Sequence, residues 1–181
     1  MKTTVIAAIV ALGLNTMVLN AAHAAGRFHA GGTAVSEEGA VSGRGAAVRG
    51  PHGGGAVRGG GAAVDGQGNF VSGHGGAATV KDSSGNVKAQ GVRAGKTTGK
   101  VGSGVQHQGG MAAQGTRGAV KSTGSFSTDG AGGASGSRST SAQSSTTDAS
   151  YQGSTSYQKG SGATHTSTCT NAAGQTVPCA K

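Results

Sequence analysis

Residues 78–90 read ATVKDSSGNVKAQ. Two short valine-bearing runs flank the five residues Asp82 to Asn86. An Asp side chain can accept hydrogen bonds from its own backbone two residues on, which starts a type I turn. A glycine in the fourth place accepts the left-handed conformation that follows. The stretch therefore predicts a hairpin with a G1 bulge. The same Asp/Asn-x-x-Gly-Asn/Gln pattern recurs as DGQGN at 65–69 and NAAGQ at 171–175, and DGAGG at 129–133 is a looser fourth copy. STCT and TVPC flank the 171–175 copy and suit strands, whereas glycine-rich flanks weaken the case at 65–69.

A shorter repeat runs through the first half. AVSG (40–43), AVRG (47–50), AVRG (56–59), AVDG (63–66) and FVSG (70–73) follow one another, and from Val41 to Val87 the valines step by 7, 9, 7, 7, 9 and 7 residues. Valine favours strands and glycine supplies turns, so this spacing predicts strands of three or four residues alternating with glycine-rich turns. Further strands are expected near Ser150–Tyr157, Ala163–Thr170 and Gln175–Cys179. Glycines every few residues break any helical period.

Composition argues against a packed core. Of 181 residues 38 are glycine, aromatics are 3% and tryptophan is absent. Ordering one residue's backbone costs about 1–2 kcal/mol, and alanine and glycine bury little surface in return. The expected fold class is a low-complexity chain, largely irregular or disordered, all-β where ordered, with antiparallel hairpins in a thin meander and an N-terminal signal helix. Four segments are expected: a signal peptide at 1–24, a basic Gly/Ala/Val-rich repeat region at 25–134, a Ser/Thr-rich linker at 135–149 and a C-terminal hairpin unit at 150–181.

The first segment sets the compartment. Lys2 precedes an apolar run from Val5 to Leu19, and Ala22-His23-Ala24 forms a small-residue site with cleavage before Ala25. The run falls short of the roughly 20 residues of a spanning helix, and Asn15 and Thr16 interrupt it. The expectation is export, periplasmic or secreted, with no membrane span once the signal is cleaved.

Charge is uneven. The formal net charge is +9. Ten cations lie between Gly39 and Ser125: Arg44, Arg49, Arg58, Lys81, Lys88, Arg93, Lys96, Lys100, Arg117 and Lys121, against Asp65 and Asp82. From Phe126 to Thr168 the balance is neutral. The ten are candidate contacts for a polyanion. Their other role is to keep a Gly/Ala/Val chain from self-associating.

Other motifs carry less. Nine residues separate Cys169 from Cys179, which is not a C-x-x-C spacing, and two cysteines alone do not complete a zinc site. In an oxidising compartment a disulfide is the default, with an intermolecular bridge or unpaired thiols as the alternative. Pairing Asn171 with Gln175 would set Cys169 opposite Val177, one same-face step short of Cys179, so direct bridging needs an irregularity that Pro178 would help supply. GVRAGKTTGK at 91–100 has three residues rather than four between its first glycine and Gly-Lys, so it is not a phosphate loop. His29, His52, His74, His107 and His165 are scattered, which argues against metal. Glu37-Glu38 has no partner for acid–base work, no nucleophile–base–orienter set can be assembled, and the glycine–aspartate spacing does not fit a calcium-binding nonapeptide array. No cofactor and no enzymatic activity are expected.

The signal segment, the Gly/Ser/Thr repeats with Asx-x-x-Gly turns and the terminal CTNAAGQTVPC together resemble a loose group of uncharacterised exported proteins of Gram-negative bacteria whose repeats end in a Cys–turn–Cys hairpin. The resemblance is specific over Tyr151 to Cys179 and implies compartment and architecture only. The expected function is that of an exported, non-enzymatic repetitive protein with a structural or surface/matrix interaction role, able to self-associate through β edges. The alternative is a cationic protein that binds lipopolysaccharide, extracellular DNA or acidic polysaccharide.

Overall fold

A computed structural model describes residues 26–179; the expected signal peptide and its helix lie outside them. The described chain is one antiparallel sheet of eleven strands in sequence order. The strands are β1 (Gly26–Ser36), β2 (Gly39–Arg49), β3 (Gly55–Asp65), β4 (Asn69–Lys81), β5 (Val87–Lys100), β6 (Gly104–Gly115), β7 (Gly118–Thr128), β8 (Ala134–Ser144), β9 (Ser150–Gln158), β10 (Gly162–Thr170) and β11 (Thr176–Val177). Among the described residues no helix is long and apolar enough to cross a membrane.

All four copies of the turn pattern make the expected Asx side-chain bonds, but DGAGG at 129–133 departs from the type I turn, with φ of 74° already at Gly130. Asp65 Oδ1 accepts the backbone N–H of Gln67 (2.9 Å) and Asn69 (2.8 Å), and Asp82 Oδ1 accepts those of Ser84 (3.0 Å) and Asn86 (2.9 Å). Asp129 Oδ1 takes Ala131 (2.9 Å) and Gly133 (2.8 Å), and Asn171 Oδ1 takes Ala173 and Gln175 (both 3.0 Å). In three copies the fourth-place glycine, Gly68, Gly85 or Gly174, has a φ between 76° and 82° and donates its N–H back to the Asx carbonyl. One side-chain oxygen therefore fixes two backbone donors in each turn, leaving little of the hairpin geometry to chance.

The strands themselves are longer than the valine spacing implies. β1 to β8 run 11–14 residues, not three or four. Val41 and Val48 share β2, Val57 and Val64 share β3, and Val71 and Val80 share β4. The glycines between them lie mid-strand, not in turns. They are needed there because backbones approach closely: a Cβ on Gly60 would lie 2.8 Å from the Gly73 carbonyl oxygen, and one on Gly76 2.8 Å from that of Val57.

The expectation of a largely irregular or disordered chain, with a linker at 135–149, is likewise corrected. Residues 134–144 are β8, paired on one side with β7 and on the other with β9. Hydroxyl pairs brace this part of the sheet: Ser125–Ser137 (3.1 Å), Ser127–Ser135 (3.0 Å) and Ser156–Thr164 (2.7 Å). Cross-strand pairs of this kind contribute roughly 0.2–1 kcal/mol each, so a Ser/Thr tract low in complexity still specifies a ladder.

Among the described residues no second layer covers the sheet. Substantial contacts join only strands adjacent in sequence, Ala63 is the buried apolar residue among those described, and Val35, Val57, Val80, Val92 and Val101 remain more than half exposed. The thin meander is present in place of a sandwich. It rests on its backbone ladder rather than on a core.

Cys169 lies opposite Val177, as the turn register requires, and Cys169 and Cys179 form a disulfide with Cα atoms 5.3 Å apart. β11 stops at Val177, Pro178 ends the ladder, and Cys179 turns back to its partner. A disulfide is consistent with an oxidising, extracytoplasmic location. Among the described residues the hairpin shields only the Cys169–Thr170 end of β10, and the rest of that edge, like all of β1, has no neighbouring strand.

Candidate polyanion interface

Successive strand residues alternate between faces, and directly opposed residues share one. The registers therefore assign the strand-borne charges to two sides. Arg44, Arg58 and Arg93 fall on one face, together with Arg27, Arg138, His29, His74, His107 and His165. Lys96, Lys100 and Lys121 fall on the other, with Arg49. Lys81 and Arg49 both border Gly53. Lys88 is the extra residue of the bulge where β4 leaves β5, and it pairs with Asp82 at 3.2 Å. Arg117 sits in the β6–β7 turn.

Carboxylates occupy neither face. Glu37, Glu38, Asp82, Asp129 and Asp148 lie between strands, and Asp65 is the last residue of β3, turned into its own hairpin. Hydrogen bonding holds three of them below the ordinary carboxylate range. For Asp65 the largest cause is the Asn69 side-chain amide; for Asp82 and Asp129 it is the backbone N–H of Asn86 and Gly133. These carboxylates are committed to turns, so the strand surfaces carry positive charge alone.

On the arginine face one row of mutually opposed residues crosses ten strands: Gly31, Arg44, Gly60, His74, Gly95, Gly109, Gly124, Arg138, Thr155 and His165. His74 and His107, far apart in sequence, stack with centroids 6.4 Å apart and ring planes 15° apart. Their imidazoles cover Gly95, where a Cβ would meet His74 Cε1 at 2.7 Å and His107 Cε1 at 3.4 Å, and His107 Nε2 would lie 3.2 Å from a Cβ on Gly109. His107 thus leans into the row from the neighbouring position. Scattered histidines become neighbours because strands 30-odd residues apart are two ladder steps apart. Summing the turn-defined registers was the signal that could have found them.

The row is braced. Arg138 Nε donates to Ser122 Oγ (2.9 Å), Ser122 is only 5% exposed, and it shares a hydrogen bond with Thr140 (3.0 Å). Thr97 Oγ1 meets His107 Nδ1 and Thr155 Oγ1 meets His165 Nδ1, both at 2.8 Å. These pairs have the reach of a nucleophile and its base, yet no carboxylate shares their face to orient the imidazole. Among the described residues no three His, Cys, Asp or Glu gather where a metal ion could sit. Residues 91–100, with their phosphate-loop echo, form the body of β5 as extended strand.

The opposite face holds two open troughs of about 670 and 700 Å³, lined chiefly by its own residues, among them Val92, Gln114 and Lys121 in one and Lys96, Gln108 and Ser137 in the other. Comparison with protein-family models, curated proteins and solved structures found no match to this chain.

Proposed function

We propose that this chain is an exported, non-enzymatic sheet scaffold that binds anionic polymers of the cell envelope or extracellular matrix. The observation that carries this reading is the separation of charge: six carboxylates held in or at turns, and cations alone on both strand faces. A surface of one sign attracts a chain of the other, and many weak contacts add along a polymer. Isolated cations on such a surface are screened within about 8 Å at physiological salt, so the reading demands a multivalent partner rather than a small anion. Binding releases counterions, and affinity for a polyanion should fall steeply between 50 and 200 mM salt, on the order of 10²-fold or more for five contacts. Titration of the purified protein with a labelled polyanion over a salt series tests this; affinity that ignores salt, or no binding at low salt, sinks it.

A second reading rests on the open edge of β1. Among the described residues the eleven of Gly26–Ser36 pair on one side only, and an unpaired edge is a template for another strand. A Cβ on Gly32 would meet nothing within 4 Å, so Gly32→Lys adds charge to the edge without a clash. Light scattering should show self-association in the parent and its loss in the variant; identical masses would remove this reading.

A further inference from the structure

The two faces differ in more than charge, and the difference narrows the class of polymer, an inference that rests on the polyanion reading above. Arg27, Arg44, Arg58, Arg93 and Arg138 share one face with Phe70, Phe126, Tyr151 and Tyr157. Lys96, Lys100 and Lys121 lie on the other, among hydroxyl and amide side chains such as Gln108, Ser125 and Ser137. Arginine is a planar, weakly hydrated cation that forks onto phosphate and stacks on rings; lysine is a strongly hydrated point charge. Arginine and aromatic residues are also the ones enriched where proteins make contacts. The rings lie down on the sheet. A Cβ on Gly99 would meet Phe70 Cζ at 2.7 Å, one on Gly136 would meet Phe126 Cδ2 at 3.3 Å, and one on Gly153 would run into the Tyr151 ring. His74 and His107 cover Gly95 in the same manner, their planes 15° apart. Each ring fills the space that a side chain on the glycine would take, so it rests on backbone and keeps its outer side open.

Rings and arginines interleave. His107, Phe126, Gly136 and Tyr157 oppose one another in turn across β6 to β9. Phe126 is 43% exposed and Tyr157 41%. Arg138 is the diagonal neighbour of both, about 7–8 Å away and within reach of long and aromatic side chains. Arg58 and Arg93 stand in the same diagonal relation to His74. We propose that this face binds single-stranded nucleic acid, with bases stacked on Phe126, Tyr157 and the His74–His107 pair and phosphates held by Arg58, Arg93 and Arg138. Positive charge beside rings is the combination that holds single strands, and every base has a π face, so the binding tolerates any sequence. An acidic polysaccharide brings the charge without the π faces. A duplex keeps its bases in its own stack. Carboxylates stay in the turns, so nothing on this face repels a phosphate.

The test is fluorescence anisotropy with the purified protein at low salt and three labelled probes of equal total charge: an oligothymidylate, an abasic deoxyribose-phosphate chain of the same length, and an oligouronate. The oligothymidylate should bind roughly 10-fold or more tighter than the abasic chain, because stacked bases add to the phosphate contacts. Phe126→Ala and Tyr157→Ala should each remove much of that advantage and leave the abasic affinity unchanged, a pattern that loss of folding cannot give. Arg93→Gln should weaken both chains several-fold, through a lost phosphate contact, and Lys96→Gln, on the opposite face, should weaken neither. Equal affinity for the two chains, or a preference for bases that survives both ring variants, overturns the stacking inference and leaves polyanion binding standing. So do equal losses from Arg93→Gln and Lys96→Gln, or an oligouronate that binds tightest. Failure of all three probes to bind overturns both.

Discussion

The strands before β6 and those after it meet the same demand with different chemistry. In β2 to β4 glycine and alanine predominate around the middle of each strand, beside Arg44 and His74, and valines sit toward the ends. In β7 to β10 the same positions carry serine and threonine, whose hydroxyls bond across the ladder. Strand direction, register and turn chemistry are nonetheless continuous across the two. The difference teaches that this sheet is set by its backbone and its turns, and that the side chains above them are free to serve the surface.

The strongest way to break that equivalence is at the glycines the two regions share. Gly39 opens β2 and Gly118 opens β7, both with φ of 147°, and a Cβ on either would collide with a carbonyl oxygen of the next strand, that of Val64 or of Gln143. Gly39→Ala and Gly118→Ala should each lower stability by about 2–4 kcal/mol, measured by urea unfolding. Equal losses support one backbone rule for both regions; a loss in only one means that side chains, not the backbone alone, set the sheet.

Next in size is the disulfide. Cys169→Ala should release about 3 kcal/mol of loop constraint, but only locally. Hydrogen exchange should show lost protection in β10 and β11 and none in β2 to β4, because contacts run only between neighbours. Global unfolding of the variant would contradict a sheet held together step by step.

Acid separates the turns. Asp65, Asp82 and Asp129 have folded-state values below their unfolded ones. The stability they contribute is present above the ordinary carboxylate value of 3.8 and is lost as pH falls through the lowered folded values. The NAAGQ turn makes the same bonds with a neutral Asn171. A melting series from pH 5 to pH 2 should therefore unravel the hairpins at 65–69, 82–86 and 129–133 while the terminal one holds. The triple variant Asp65→Asn, Asp82→Asn, Asp129→Asn should flatten the acid limb; an unchanged limb would show that these turns do not govern it. The smallest effect belongs to the hydroxyl ladder. Ser125→Ala removes one exposed pair with Ser137 and should cost about 0.5 kcal/mol, visible as a slight shift in the urea midpoint.

Much of this was legible in the sequence, and the turns show why. Asp82 to Asn86 is a local device whose bonds all fall within five residues, so it needs no knowledge of the rest of the chain. The Cys169–Val177 register followed from counting outward from such a turn. Strand length was misread because a glycine's meaning depends on what lies opposite. Gly60 looks like a turn residue until the Gly73 carbonyl is placed against it. The odd valine steps held a clue as well: seven or nine residues along a strand puts Val41 and Val48 on opposite faces, the pattern of a sheet with no single inner side. The candidate cations were all visible. Their sorting, with Arg44, Arg58 and Arg93 apart from Lys96, Lys100 and Lys121, depends on summing registers over many strands, and so does the meeting of His74 with His107.

Contacts confined to neighbouring strands make the molecule a ruler whose length can be edited in whole hairpins. Excising residues 100–128 would remove β6 and β7 and leave the Asp129–Gly133 turn to join β5 to β8. Gly99 would then face Ala134 and Gly95 would face Arg138, so both faces stay in phase. The row across the sheet would remain unbroken and become shorter by two strand spacings, about 9.6 Å. Duplicating the same segment would lengthen it by that step. Hairpin number alone then sets the length of the row.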